Sequence, residues 1–242
     1  MAHHLRTSTR LLAALLLPFA LQACNLANCV RGSGSPVRRT VDLQEFNGIM
    51  AEGSIDVRVT RADVQRVEVE AQENLFDLII TEVKDGALHV GTTGCIANSK
   101  PITVHISLPS LTAVTVQGSG DLTSSDRFTA DAFVASVQGS GSIRVGVEAR
   151  TVHAAAQGSG DIDLNGRCDD LEAHVQGSGT IEAKDLHATN VEASVQGSGD
   201  INVHATGRLA AHIGGSGDIT YRGSPSEVKK DIAGSGELKQ VP

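Results

Sequence analysis

The sequence predicts an all-β chain wound as a parallel β-solenoid, a three-sided β-helix of about 19 residues per coil with a less regular N-terminal β cap. Three observations predict it: a short glycine motif at near-constant spacing, strict alternation of apolar and polar residues within each spacing, and aliphatic columns when the copies are stacked. QGSGD at 117–121 returns as QGSGS at 138–142, QGSGD at 157–161, QGSGT at 176–180, QGSGD at 196–200, GGSGD at 214–218 and AGSGE at 233–237. The first glycines are Gly118, Gly139, Gly158, Gly177, Gly197, Gly215 and Gly234, so six steps span 116 residues. The second glycines are Gly120, Gly141, Gly160, Gly179, Gly199, Gly217 and Gly236.

Within a copy the period is two, which is the signature of strand. In VEASVQGSGDINVHA (191–205) the odd positions are apolar or glycine and the even ones polar. Val116, Val137, Ala156, Val175, Val195, Ile213 and Ile232 form one aliphatic column, and Leu122, Ile143, Ile162, Ile181, Ile201, Ile219 and Leu238 form another. A unit this short cannot bury its own apolar face, so the copies stack, each coil pairing with the next at about 4.8 Å. The glycine pairs are expected to face inward at a corner where a Cβ has no room, with the intervening Ser pointing out. Runs such as KDLHATNV (184–191) and ATGRLAAHI (205–213) shift the phase of the alternation once, marking further corners and favouring three sides over two.

Residues 40–110 are less regular and are read as the cap, continuous with the 111–242 solenoid as one domain. FNGIMAEGSIDVRV (46–59) reads as a first coil lacking the second glycine. VEVEAQ and LIITEVKDGALHV read as strands, the latter with a hairpin at Asp85-Gly86. Residues 24–39, with RGSGSPVRR, read as a tether.

Residues 1–23 read as a signal peptide: Arg6 and Arg10, then the apolar LLAALLLPFAL (11–21), then LQAC. The last four residues resemble the lipobox of bacterial lipoproteins, which implies lipidation of Cys24; ordinary secretion is the alternative. Eleven apolar residues are too few to span a bilayer. Asn25 is not the Asp that marks inner-membrane retention, so an outer-membrane anchor is favoured, periplasmic or surface-exposed. Beyond Cys24 an odd set remains, Cys29, Cys95 and Cys168. Cys29 with Cys95 is the candidate disulfide, since both lie in loop-like stretches ahead of the repeats.

The composition excludes several functions. The formal net charge is -8, and no basic cluster is present to hold nucleic acid. With no Trp, one Tyr and 26 Gly, the interior suits small branched side chains rather than an aromatic-lined pocket. No nucleophile triad or phosphate-binding turn occurs, and no cofactor is expected. No Cys stands at metal-ligand spacing, so no metal site is assigned.

VRGSGSPVRRTVDLQEFNGI leading into GSIDVRVTRAD, then LIITEVKDGALHV, then ITVHISLPSLTAVTVQGSGDL, then the GSG coils: in this order the chain resembles the bacterial head GIN domain family, described as auto-transporter adhesin heads, over about residues 30–240. The resemblance implies a right-handed β-helix on a cell-envelope protein, here of lipoprotein type, and a role in adhesion. It brings no catalytic residues.

Three outward features carry residue types capable of chemistry. Asp121, Ser142, Asp161, Thr180, Asp200, Asp218 and Glu237 follow the second glycines, and stacked like charges there would repel. Ca²⁺ between rungs would relieve this, but Ser142 and Thr180 interrupt the column, which favours a solvated polar ladder. His174 and His212 stand two rungs apart, roughly 9–10 Å, too far to share one ion. Asp161, Asp163, Asp169, Asp170 and Glu172 are too scattered for a carbohydrate-active enzyme. The expected function is therefore non-enzymatic: an adhesin or structural surface module with the membrane as one partner, an unidentified surface ligand (protein or polysaccharide) as another, and homo-oligomers open. A Ca²⁺-stabilised repeat module is the alternative, and a carbohydrate-active β-helix enzyme ranks behind it.

Overall fold

The computed structural model describes residues 29–97 and 100–242; the signal segment and Cys24 lie outside the described residues. In chain order the strands are β1 (Val30–Arg31), β2 (Pro36–Val41), β3 (Gly48–Gly53), β4 (Ile55–Arg61), β5 (Arg66–Gln72), β6 (Ile79–Lys84), β7 (Ala87–Thr92), β8 (Ile96–Ala97), β9 (Ile102–Leu108), β10 (Ala113–Gly118), β11 (Asp121–Gly139), β12 (Ser142–Gly158), β13 (Asp161–Gly177), β14 (Thr180–Gly197), β15 (Asp200–Gly215), β16 (Ile219–Arg222), β17 (Glu227–Ile232) and β18 (Leu238–Gln240). A 3₁₀ turn, Glu73–Leu78, links β5 to β6.

β11 to β15 are each one winding, paired in parallel with the next in a β-solenoid of about seven turns. The register is the one the motif predicts: Val137 lies opposite Ala156, Val175 opposite Val195, and Gly177 opposite Gly197. Between β13 and β14 the ladder runs in three stretches, Asp161–Asp163, Asn165–Cys168 and Asp170–Gly177, with breaks between them. Those two breaks and the GSG bend are the three corners. The third stretch is the longest side.

Side chains that point to the axis are almost wholly aliphatic. Leu122, Val137, Ile162, Ile181, Val195 and Ile201 are fully buried, and Phe128 and Phe133 fill the β11 winding. Each such Val, Ile or Leu stabilises the fold by about 1.5–3 kcal/mol relative to exposure. Stacking is therefore what makes a single winding stable.

At the N-terminal end, β3 stacks on β10 with Ala51 opposite Val116 and Gly53 opposite Gly118, a first coil with Ile55 where later copies carry the second glycine. The β6–β7 hairpin turns at Asp85 (φ 50°) and Gly86 (φ 76°), the two left-handed residues of a type I′ turn. β7 pairs with β3 and so covers the end of the stack. Within the 24–39 stretch read as a tether, Val30–Arg31 and residues from Pro36 on are paired as strands. β1 pairs with β8, and β2 runs antiparallel to β5, Pro36 opposite Gln72 through Val41 opposite Val67. The PVRRTV run carries no apolar–polar alternation, its valines being separated by Arg38, Arg39 and Thr40, so nothing local marks it as strand beside Gly and Pro. Cys29 and Cys95 are joined by a disulfide, Cα–Cα 4.5 Å, at the start of this paired segment.

The C-terminal end differs as well. β17 pairs with β15, and β18 with β16, each along one edge only. Ile232, placed in the buried column by the repeat, is 37% exposed, and Leu238 is half-buried. Among the described residues no further rung is stacked on them.

Candidate functional surface

The motif builds a corner with two different glycines, which corrects the expectation that both face inward. The second glycine of each copy is buried, while the first is half-buried or exposed. Gly177 sits at φ 127°, a conformation L side chains rarely adopt. That turns its carbonyl along the axis, where it accepts the amides of Ser198 at 2.8 Å and Gly199 at 3.0 Å. A Cβ on Gly197 would collide with that carbonyl oxygen, and one on Gly199 with the Gly179 oxygen and a Val175 methyl. The first glycine is thus a hydrogen-bonding bend, and the second is packing. Alternation alone hid the difference because both positions share its phase.

The outward Asp column is more than a solvated ladder. Asp161 Oδ1 accepts the amide of Thr180 at 3.0 Å, Asp200 Oδ1 that of Asp218 at 2.8 Å, and Asp218 Oδ1 that of Glu237 at 2.8 Å. Ser142 Oγ donates to Asp121 Oδ1 at 2.7 Å. Where Ser142 or Thr180 occupies the column, the next amide turns to glycine: Asp161 N donates to Gly141 O at 3.1 Å, and Asp200 N to Gly179 O at 3.2 Å. Hydrogen bonds from Lys239 and from the Glu237 amide hold the Asp218 carboxyl below its usual range. The like charges are offset by amide dipoles and a lysine. Among the described residues no group of three or more His, Cys, Asp or Glu converges to hold a metal.

Charged side chains elsewhere pair across rungs. Arg150 Nε donates to Asp131 Oδ1 at 2.9 Å, which lowers the pKa of Asp131 and raises that of Arg150. Arg127 and Arg167 reach Glu148 at 3.3 and 3.5 Å. Three of the acids considered for catalysis also have cross-rung partners, Asp163 in Arg144 at 3.0 Å, Asp170 in Asn190 at 2.9 Å and Glu172 in His153 at 2.8 Å. They do not converge on one point.

Cys168 points inward, and burial, then Asp170 and Asp169, push its thiol up to about 12. His174 and His212 are exposed on the long side. A pair the sequence reading missed is His187 and His204, on adjacent rungs with ring centroids 4.3 Å apart. Burial and then His187 lower the pKa of His204. The signal was obscured because the register shifts between Ala183 and His187, so a constant offset does not align the two.

Solved structures similar to the chain are described as a putative adhesin from Bacteroides fragilis (28% identical, TM-score 0.82, covering 88% of this chain and 100% of that one) and a putative adhesin from Parabacteroides distasonis (25%, 0.76, 88% and 100%). A third, from the same species, is described as a putative lipid binding protein (26%, 0.74, 88% and 99%). None of these is described as an enzyme. No curated protein matches the chain. The family model described as "Putative auto-transporter adhesin, head GIN domain" matches residues 45–225, well over half of the 242, and the chain belongs to that family.

Proposed function

We propose that this is a non-enzymatic, lipid-anchored protein of the bacterial cell envelope, held in the outer membrane through Cys24 and presenting its solenoid as a rigid face for adhesion or envelope structure. The observation that carries the reading is the short distance in sequence between the LQAC motif and the first strand: Val30 follows Cys24 by six residues. An anchor there would hold the cap close to the membrane. A continuous ladder of rungs suits presentation, since each winding fixes the next and no hinge interrupts the stack from β10 to β15. Several acyl chains on one cysteine give firm attachment.

The test is metabolic labelling with an alkyne fatty acid in a bacterial host. The wild-type chain should incorporate label and sediment with membranes, and Cys24→Ser should lose both. A labelled Cys24→Ser chain, or an unlabelled wild type found free in the periplasm, would overturn the anchor.

A further inference from the structure

The long side of the coil carries a strip free of Asp, Glu, Lys and Arg. Gln117, Gln138, Gln157, Gln176 and Gln196 stack in register on five successive rungs. The adjacent outward column reads Thr115, Ser136, Ala155, His174, Ser194 and His212. Over six rungs neither column holds a carboxylate, ammonium or guanidinium, on a chain of net charge -8 whose other outward columns are laced with ion pairs. Asp231, 3.7 Å from His212, closes the strip at its C-terminal end.

Two shallow depressions sit in it. One, of about 210 Å³, centres on the His174 rung among Gln157, Gln176 and Ser194. The other, of about 190 Å³, centres on the His212 rung among Ser194, Gln196 and Gly214, with Asp231 at its C-terminal edge. They arise where small residues lie between the glutamines and histidines, and they repeat every two rungs, roughly 9–10 Å.

We infer that this strip binds an extended, uncharged β-1,4-linked glycan running along the solenoid axis. In such a glycan successive sugars face opposite ways, so the same edge returns every second sugar, close to the two-rung repeat of the depressions. Primary amides, hydroxyls and imidazoles supply donors and acceptors matched to sugar hydroxyl and acetamido groups. The footprint suits a single extended chain better than a globular partner. Six rungs give ~24 Å of length and the two columns ~10 Å of width, well short of the ~800 Å² per partner that a standard protein interface buries. Without an aromatic ring to stack a sugar, binding accumulates over many hydrogen bonds, so affinity grows with ligand length. The inference names a ligand class for the face in the proposed function and rests on that reading for its setting.

The experiment is calorimetric titration of the full-length chain in detergent with β-1,4-linked N-acetylglucosamine trimer and hexamer, β-1,4-glucose hexamer, and α-1,4-glucose hexamer as control. A β-linked hexamer should bind at least tenfold tighter than the trimer. Ser194→Arg, which places a long side chain between the depressions, should weaken binding at least tenfold, while Arg144→Ala on another side should change nothing. Gln176→Ala serves as a second strip variant, with melting curves showing that both fold. The inference is overturned by no binding of either β-linked hexamer, by equal binding of the α-linked one, or by affinity unchanged in both strip variants. Self-association abolished by Ser194→Arg, without glycan binding, would also overturn it and give the strip to a second copy. Acylation at Cys24 is read separately, so loss of the anchor and loss of glycan binding are distinguishable.

Discussion

The carboxylate of Asp200 accepts the backbone amide of Asp218, one rung along, at 2.8 Å. Two acids that would repel as neighbours on a strand are instead linked through the peptide group. Removing the acceptor should therefore cost stability even though it removes a charge clash. Asp200→Ala is expected to destabilise by about 1 kcal/mol, and Asp200→Asn, which keeps the oxygen, by less. Urea denaturation of the three proteins checks the order; an Ala variant more stable than wild type would mean that repulsion dominates.

The two glycine roles separate by substitution. Gly199→Val puts branched carbons into the Gly179 carbonyl and should cost about 3 kcal/mol or more. Gly197→Ala should cost at least 1–2 kcal/mol through its left-handed φ alone. Ser198→Val, exposed between them, should lie within about 0.5 kcal/mol of wild type. Equal losses at 198 and 199 would contradict the facing described here.

His204 is expected to make the stack acid-sensitive. Its pKa is lowered by burial and by His187, with Arg222 adding to this, while a hydrogen bond to the Lys184 backbone and the charge of Asp185 oppose it. A histidine whose folded value is depressed binds protons more readily in the unfolded chain, so stability falls with pH. The contribution is whole above about pH 6.5, the unfolded value, and is lost as the pH drops toward the folded one. The fall in melting temperature between pH 7.5 and 5.5 should be smaller in His204→Gln than in wild type. An equal fall would show that His204 contributes nothing to it.

Cys168 should be inert. With its thiol raised to about 12 and its side chain inside the coil, a chain starting at residue 26 should take up no thiol reagent when native at pH 8 and one equivalent when unfolded with the disulfide intact. Rapid labelling of the native protein would place the thiol outside.

The solenoid was legible in the sequence because period-two alternation and a fixed spacing encode the same geometry, and columns such as Val137–Ala156–Val175 occupy the core as read. The Asp85-Gly86 hairpin was legible through its turn chemistry. Less legible were features that depend on a partner elsewhere in the chain. Strand β2 exists because β5 offers an antiparallel edge, and Ile232 is exposed because, among the described residues, it has a rung on one side only. The separate roles of the first and second glycine depend on φ, and those of the Asp column on where the next amide points. Neither quantity is carried by residue type alone.

The central claim is that each winding is an interchangeable rung held by register with its neighbours. Removing residues 159–177, one whole coil, joins Gly158 to Ser178 and keeps every column aligned; removing 159–168 shifts the inward face. Small-angle scattering with thermal melting on both deletions is the direct measurement. The account predicts a cooperative melt and a length shorter by ~5 Å for the first, and no folded state for the second. Equal tolerance of the two deletions, or equal collapse, would contradict it.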